Sequence, residues 1–378
     1  MPVRQLFVVP PSDGCAENYR FLWNPPNPRA ALVRQQCDEL WRDFSDLADR
    51  NFIERFQYEL HQRWFEMYVG AALRRAQLDV SAPKPGPDFR VIVEGAPIFI
   101  EAIAPTAGDP FHPDAVPEPK HTDAEGEPAA AQVPHDLITF RIATAFRAKA
   151  DAFDRYRRNG YVGGGDACVI AINLRAIPHA WADAEEFWFR ALYGVGNRFV
   201  AIDRAGGATV AGREHRELLQ RKGGANEDVA PLLHPEHAGI SGVLGSSADL
   251  AYMPNPPGDD FVLMPHAKPK SPCPRSFSRR GAEVLLQSDE GGGWRVETID
   301  HGAHAPRGPE RLEVDVDGKT VEAEWAVEGR TLSVRVGSRA CDIQIAGGAD
   351  PAAAAREIAA EIFRADQDRD RTDEQWVP

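Results

Sequence analysis

From about Ala30 to Gln77 apolar residues recur at three- and four-residue steps, with Phe56, Leu60, Trp64, Met67 and Ala71 tracing one stripe beside Tyr68. That spacing predicts helix with a face that packs on a sheet. Beyond it the period changes. Leu78 to Ala82 predicts a short strand ahead of a Lys84-Pro85-Gly86-Pro87 turn. Val91-Ile92-Val93 and Ile98-Phe99-Ile100, separated by Gly95-Ala96-Pro97, predict a hairpin. Asp109 to Ala131 is rich in Pro, Asp, Glu and His with no period, so an irregular insertion is expected over 105–133. Helical rhythm returns from Pro134 to Asn159 through Leu137, Ile138, Ile142, Ala145, Phe146, Ala150 and Phe153. Ala167 to Leu174 is then a continuous apolar run of the kind found at a sheet centre. Arg198 to Ile202, Ile240 to Leu244 and Asp260 to Met264 are further strand candidates that would extend the same sheet.

The texture changes again near the C-terminus. RLEVDV, KTVEAEWAV, RTLSVRV and ACDIQIA alternate polar and apolar residues, which predicts an antiparallel meander, and Ala352 to Ala365 predicts a closing helix. Three parts follow: residues 1–51 as an N-terminal extension and helix, 52–287 as the main domain, and 288–378 as a meander-plus-helix module suited to a protein partner.

Bulk properties narrow the function classes. Five scattered cysteines without a Cys-x-x-Cys pair argue against a disulfide framework and a zinc knuckle. Leu6 to Val9 is too short for a signal-peptide core, and no run approaches the ~20 apolar residues needed to span a bilayer, so the expected location is cytoplasmic, with no membrane partner. A net charge of −14 disfavours a protein that coats nucleic acid, yet basic residues cluster locally. Arg141, Arg147, Lys149, Arg155, Arg157 and Arg158 share one stretch with only Asp151 and Asp154, and Lys268, Lys270, Arg275, Arg279 and Arg280 form a second patch. Each patch alone is equally well read as a solvated surface.

The chemistry of interest lies in GPDFRVIVEGAPIFIE, Gly86 to Glu101. Asp88 opens one predicted strand and Glu101 ends the next, so a hairpin brings the two acids to one end of a sheet, where converging carboxylates suit a hard divalent cation. A glutamate among Ile98, Phe99, Ile100 and Ile103 is costly if buried without a partner, so a cation or donor is expected beside it. Glu59 and Glu66 lie seven residues apart and share a helix face. Glu59 is expected to pair with Arg63, whereas Glu66 is embedded among aromatic residues in WFEMY.

These residues resemble the PD-(D/E)XK nuclease superfamily, whose pattern is an acidic helix, Pro-Asp at a strand start and Glu/Asp-x-Lys on the next strand. Pro87-Asp88 and Glu101-Ala102-Ile103 supply the pattern except for the lysine, which is Ile103 here. The resemblance implies an α/β fold with a restriction-endonuclease-like αβββαβ core and a mixed central sheet over about Phe52 to Leu174. It implies Mg²⁺ or Mn²⁺ held by Asp88 and Glu101 with Glu66 oriented toward it, and phosphodiester hydrolysis of nucleic acid, DNA before RNA. Lys149, with Arg141 behind it, is the candidate replacement for the motif lysine. Arg141, Arg147, Arg155, Arg158, Lys268 and Lys270 are the expected backbone-tracking residues. The alternative is a catalytically degenerate nuclease-like fold that binds nucleic acid or protein.

Two other patterns carry less. Glu313-Val-Asp315-Val-Asp317-Gly318 followed by Glu324 has nearly the spacing of a calcium loop, but its flanks alternate as strands do. His234-Pro-Glu-His237 and His301-Gly-Ala-His304 lack the helical context and third ligand of a zinc site and are expected to be loop histidines.

Overall fold

In a computed structural model that describes residues 5–25, 28–119, 133–202, 209–224, 226–274, 277, 281–288, 294–300, 307–316, 319–328, 331–336, 339–344, 353–360 and 362–363, the architecture is mixed α/β around a mixed sheet. The apolar run Ala167–Asn173 is β4, buried at every position. Only a strand covered on both faces reads this way. Its neighbours are β3 (Ala96–Ile103) and β9 (Gly242–Ser246), both parallel to it. Outward from β3 come β2 (Phe89–Val93) and β1 (Asp79–Ser81). Outward from β9 come β10 (Val262–Pro265), β11 (Ala282–Ser288) and β12 (Trp294–Asp300), completing an eight-stranded order β1-β2-β3-β4-β9-β10-β11-β12.

Side-chain alternation along the strands divides the core in two. Ile98, Ile100 and Ala102 of β3 and Val169 and Ala171 of β4 join α4 (Leu60–Arg75) on one face, backed by α1 (Glu17–Trp23), α2 (Pro28–Phe44) and α3 (Phe52–Phe56). Phe99, Cys168, Ile170 and Ile172 face the other way, toward α5 (His135–Arg158) and α6 (Ala184–Tyr193). Gly70 belongs to the first face for a steric reason. A methyl group there would come within 2.6 Å of the Phe44 ring and 2.9 Å of Phe89, so the helix approaches the sheet closely only without a side chain.

Several expectations shift. The long periodic stretch is broken into α2, α3 and α4. The hairpin turn is Glu94-Gly95, with φ of 51° and 81°, and Pro97 lies within β3 opposite Ile92. Two positive φ values match the right-handed twist of the flanking strands. Pro97 is tolerated because β4 pairs with β3 only from Ile98 onward. Arg198 to Ile202 does not extend the main sheet: it belongs to β5 (Val195–Ile202), which pairs with β6 (Thr209–His215) as a separate ribbon. A second ribbon joins β7 (Leu218–Gln220) to β8 (Asn226–Asp228).

The meander forms as β13 (Arg307–Val316), β14 (Lys319–Glu328), β15 (Thr331–Val336) and β16 (Arg339–Gln344), and helical residues 353–360 pack on it through Ala355, Ile358 and Ala359. The break between the two sheets falls between Asp300 and Arg307, later than residue 287, because β12 completes a hairpin with β11 in the main sheet. Glu313 and Asp315 lie on β13 and Glu324 on β14, so strand geometry replaces the calcium-loop reading; Asp317, Gly318, His301 and His304 are outside the described residues. Among the described residues no helix is long and apolar enough to cross a membrane.

Candidate functional site: a carboxylate cluster where β3 outruns β2

The last antiparallel pair at this end is Phe89 with Ile100, and Asp88 is the bend residue just before β2, close to Glu101. Glu101 points to the α5 side, since its neighbours Ile100 and Ala102 point to the other. Strand β2 ends there while β3 continues, leaving its edge without a partner strand. Side chains take over: the Ala102 amide donates to Asp88 Oδ2 at 2.8 Å. Gln62 of α4 donates to the Ala102 carbonyl at 3.1 Å and accepts from the Ala104 amide at 2.9 Å. Asp88 therefore has a structural task, capping a strand edge, whatever else it does.

Glu101 is 3% exposed, and both its oxygens are engaged by α5. Lys149 Nζ donates to Oε2 at 2.5 Å and the Tyr156 hydroxyl to Oε1 at 2.9 Å. Those two residues are seven apart, two helical turns on one face, so they grip the carboxylate from either side. Ile103 lies on the same side of β3, packed against the α5 core. The ammonium beside Glu101 comes from α5.

Glu66 comes from α4, on the opposite face of the sheet. Arg63 joins its Oε2 at 2.7 Å and also pairs with Glu59 at 3.1 Å, so one guanidinium serves both acids. Burial raises Glu66 to about 7, with the Asp88 charge adding to the effect despite Arg63. Burial likewise raises Asp88 to about 6, reinforced by Glu101 and opposed by Lys149, the Ala102 amide and Arg63. Burial pulls Lys149 down, but Glu101, Asp88 and Glu66 outweigh it and hold the ammonium above its ordinary value. Burial and then Glu101 raise the Tyr156 phenol, keeping it a donor. Three carboxylates and two cations form one electrostatic unit with an excess of negative charge.

This unit has the oxygen donors of a hard cation. Its three acids do not all close on one point: among the described residues, the trio of acids, histidines or cysteines whose ligand atoms all lie within 4.8 Å of one another is Asp228, Glu236 and His237. The Asp88 charge is felt by Glu66, and the Glu101 charge by Asp88.

The expected nucleic-acid contacts divide. Arg141 donates to the Thr106 carbonyl and Arg147 pairs with Glu227 at 2.6 Å, so both are committed to the protein. Arg155, Arg158, Lys268 and Lys270 are exposed. The two patches adjoin, because Arg157 donates to the Gly239 carbonyl while the Lys270 amide donates to Ala238. Arg275, Arg279 and Arg280 are outside the described residues. A shallow cavity of about 650 Å³ beside Arg155, Arg157 and Arg158 also carries Asp151 and Asp154, which dilute its charge.

Sequence reasoning missed Tyr156, Gln62 and the double role of Arg63. Tyr156 had a signal, the seven-residue step from Lys149; Gln62 had none, since its task follows from the unequal lengths of β2 and β3. Comparison with protein-family models, with curated proteins and with solved structures finds no match to this chain.

Proposed function

We propose that this chain is a divalent-metal-dependent phosphodiesterase resembling the PD-(D/E)XK nucleases, acting on DNA. The observation that carries the reading is Asp88 held on the Ala102 amide, next to Glu101 in β3, while Lys149 reaches Glu101 from α5. The succession α4-β1-β2-β3-α5-β4 agrees with the αβββαβ order of a restriction-endonuclease-like core. Asp88 and Glu101 would hold Mg²⁺ or Mn²⁺, with Glu66 oriented toward it through water. The ion, when bound, supplies neutralising charge at the phosphate and a water of lowered pKa. Lys149 is the ammonium available to hold a phosphate oxygen, and Tyr156 keeps Glu101 aimed along the sheet end. Exposed Arg155, Arg158, Lys268 and Lys270 would track the phosphate backbone, which gives affinity without sequence reading.

A second reading, a nuclease-like subunit that binds without cleaving, is favoured by one fact: Lys149 and Tyr156 already occupy both oxygens of Glu101. Calorimetry with Mn²⁺ separates the two. The enzyme binds Mn²⁺ and loses it in Glu101→Gln, whereas the binding subunit takes up none at this site. Incubation with plasmid and single-stranded DNA, with and without Mn²⁺, completes the test. Nicking that depends on Mn²⁺ and disappears in Asp88→Ala supports hydrolysis; full cleavage by a folded Asp88→Ala protein rejects the assignment.

A further inference from the structure

The loop histidines expected at 234 and 237 are part of a second cluster, built on different chemistry. Strand β8 ends on Asp228, and a 3₁₀ turn over Pro235–His237 returns the chain to it. Asp228 Oδ1 accepts the Ala230 amide at 3.0 Å, which turns Oδ2 toward the histidines. His234 Nδ1 lies 2.9 Å from that oxygen and His237 Nε2 3.7 Å from it. The Glu236 carboxylate completes a set of donors within 4.8 Å of one another. The third ligand that the His234-Pro-Glu-His237 motif lacked is thus supplied eight residues upstream of Glu236, by the end of a strand.

We propose that Asp228, Glu236 and His237 bind a Zn²⁺-class transition-metal ion, with His234 holding Asp228 in place. Donors on a tetrahedral ion lie about 3.3 Å apart when its bonds are ~2.0–2.1 Å, so the 3.7 Å between Asp228 and His237 needs only a small adjustment. Imidazole with carboxylate selects zinc over magnesium, which prefers oxygen alone and keeps its water. The surroundings are organised as outer shells are. His266 Nδ1 accepts the Lys268 amide at 3.0 Å and its Nε2 donates to the His234 carbonyl at 3.0 Å, so His266 is no ligand but fixes the backbone behind His234. His237 packs edge-on against Phe146 of α5, ring centres 5.3 Å apart. Glu236 is exposed, leaving the remaining coordination position to water. An ion there would staple the end of β8 to the 3₁₀ turn, which rests on α5 through His237 and Phe146. The inference is independent of the nuclease reading.

The test is calorimetric titration of the metal-stripped full chain with ZnCl₂ in excess Mg²⁺. One Zn²⁺ per chain is expected, with Asp228→Asn or His237→Gln weakening it at least about 100-fold and His234→Ala about 10–100-fold. Asp88→Asn/Glu101→Gln should leave Zn²⁺ affinity unchanged. Glu236→Gln changes an exposed side chain that cannot unfold the protein, so it must weaken Zn²⁺ about 10-fold and alter the visible spectrum of the Co²⁺-loaded chain. Zn²⁺ affinity untouched by Glu236→Gln and His237→Gln, absence of stoichiometric Zn²⁺, or a loss of Zn²⁺ confined to the Asp88/Glu101 variant would each overturn the proposal.

Discussion

The carboxylate cluster at the end of β3 and the imidazole–carboxylate cluster at the end of β8 place acids in opposite electrostatic situations. Asp88 and Glu66 are crowded by burial and by a neighbouring carboxylate, Glu101 for Asp88 and Asp88 for Glu66, and both are raised toward neutrality. Burial alone would also raise Asp228, but His237, the Ala230 amide and His234 outweigh it and hold the group at about 2. A carboxylate surrounded by donors is anionic at any working pH; one crowded by carboxylates keeps its proton to higher pH. The difference lies in the neighbours, since all three acids are at least partly withdrawn from water.

Removing the cation that the first cluster already has should produce the largest effect. Lys149→Ala leaves Glu101 buried with only Tyr156, at a cost of about 3–5 kcal/mol in urea unfolding, and adding Glu101→Gln should recover most of that loss. Next come two substitutions of the same type with opposite signs. Asp228→Asn should destabilise by about 1–2 kcal/mol at pH 7, because it removes a charge that the native state favours. Asp88→Asn in the metal-free protein should stabilise by about 1–2 kcal/mol at pH 8, since the amide still accepts from Ala102 and one buried charge is gone. A destabilised Asp88→Asn protein would erase the contrast.

The pH dependence follows with its sign. Between about pH 4 and pH 7 the native state keeps protons on Asp88 and Glu66 that the unfolded chain has released, so their contribution falls as pH rises through this window. Asp228 acts in reverse: its contribution is complete above about pH 4 and is lost as pH falls toward 2. Thermal melts of the metal-free protein at pH 5 and pH 8 should therefore show the benefit of Asp88→Asn shrinking at the lower pH. Smallest of all is the exposed Arg55–Glu59 pair at 2.8 Å, where Arg55→Ala should change stability by less than about 0.5 kcal/mol. A larger loss would mean that solvent screens these charges less than their exposure implies.

Much of the fold was legible because burial imposes period. The apolar run of β4, the rhythm of α5, the Asp88–Glu101 hairpin and the meander all follow from residues that must alternate or repeat to reach a core. Lys149 was legible as well, as an ammonium on a helix facing an acid that needed one. The turn at Glu94-Gly95, the separate β5–β6 ribbon and the place of β12 were not, since each depends on which strand finds which partner. Nor was the second cluster. His234, Glu236 and His237 are adjacent in the chain, but Asp228 joins them only because β8 ends where the 3₁₀ turn returns.

By itself, then, the sequence determined the kinds of element, their order, and the hairpin that brings Asp88 and Glu101 to one end of a sheet, because local periods and cross-strand register are short-range consequences of residue type. Only the tertiary structure decided which cation each acid meets, that Gln62 and Asp88 cap the edge β2 leaves open, and that two histidines share one aspartate oxygen. Those outcomes depend on distances between groups far apart along the chain, and the energy of a charge depends on what lies within a few ångströms of it.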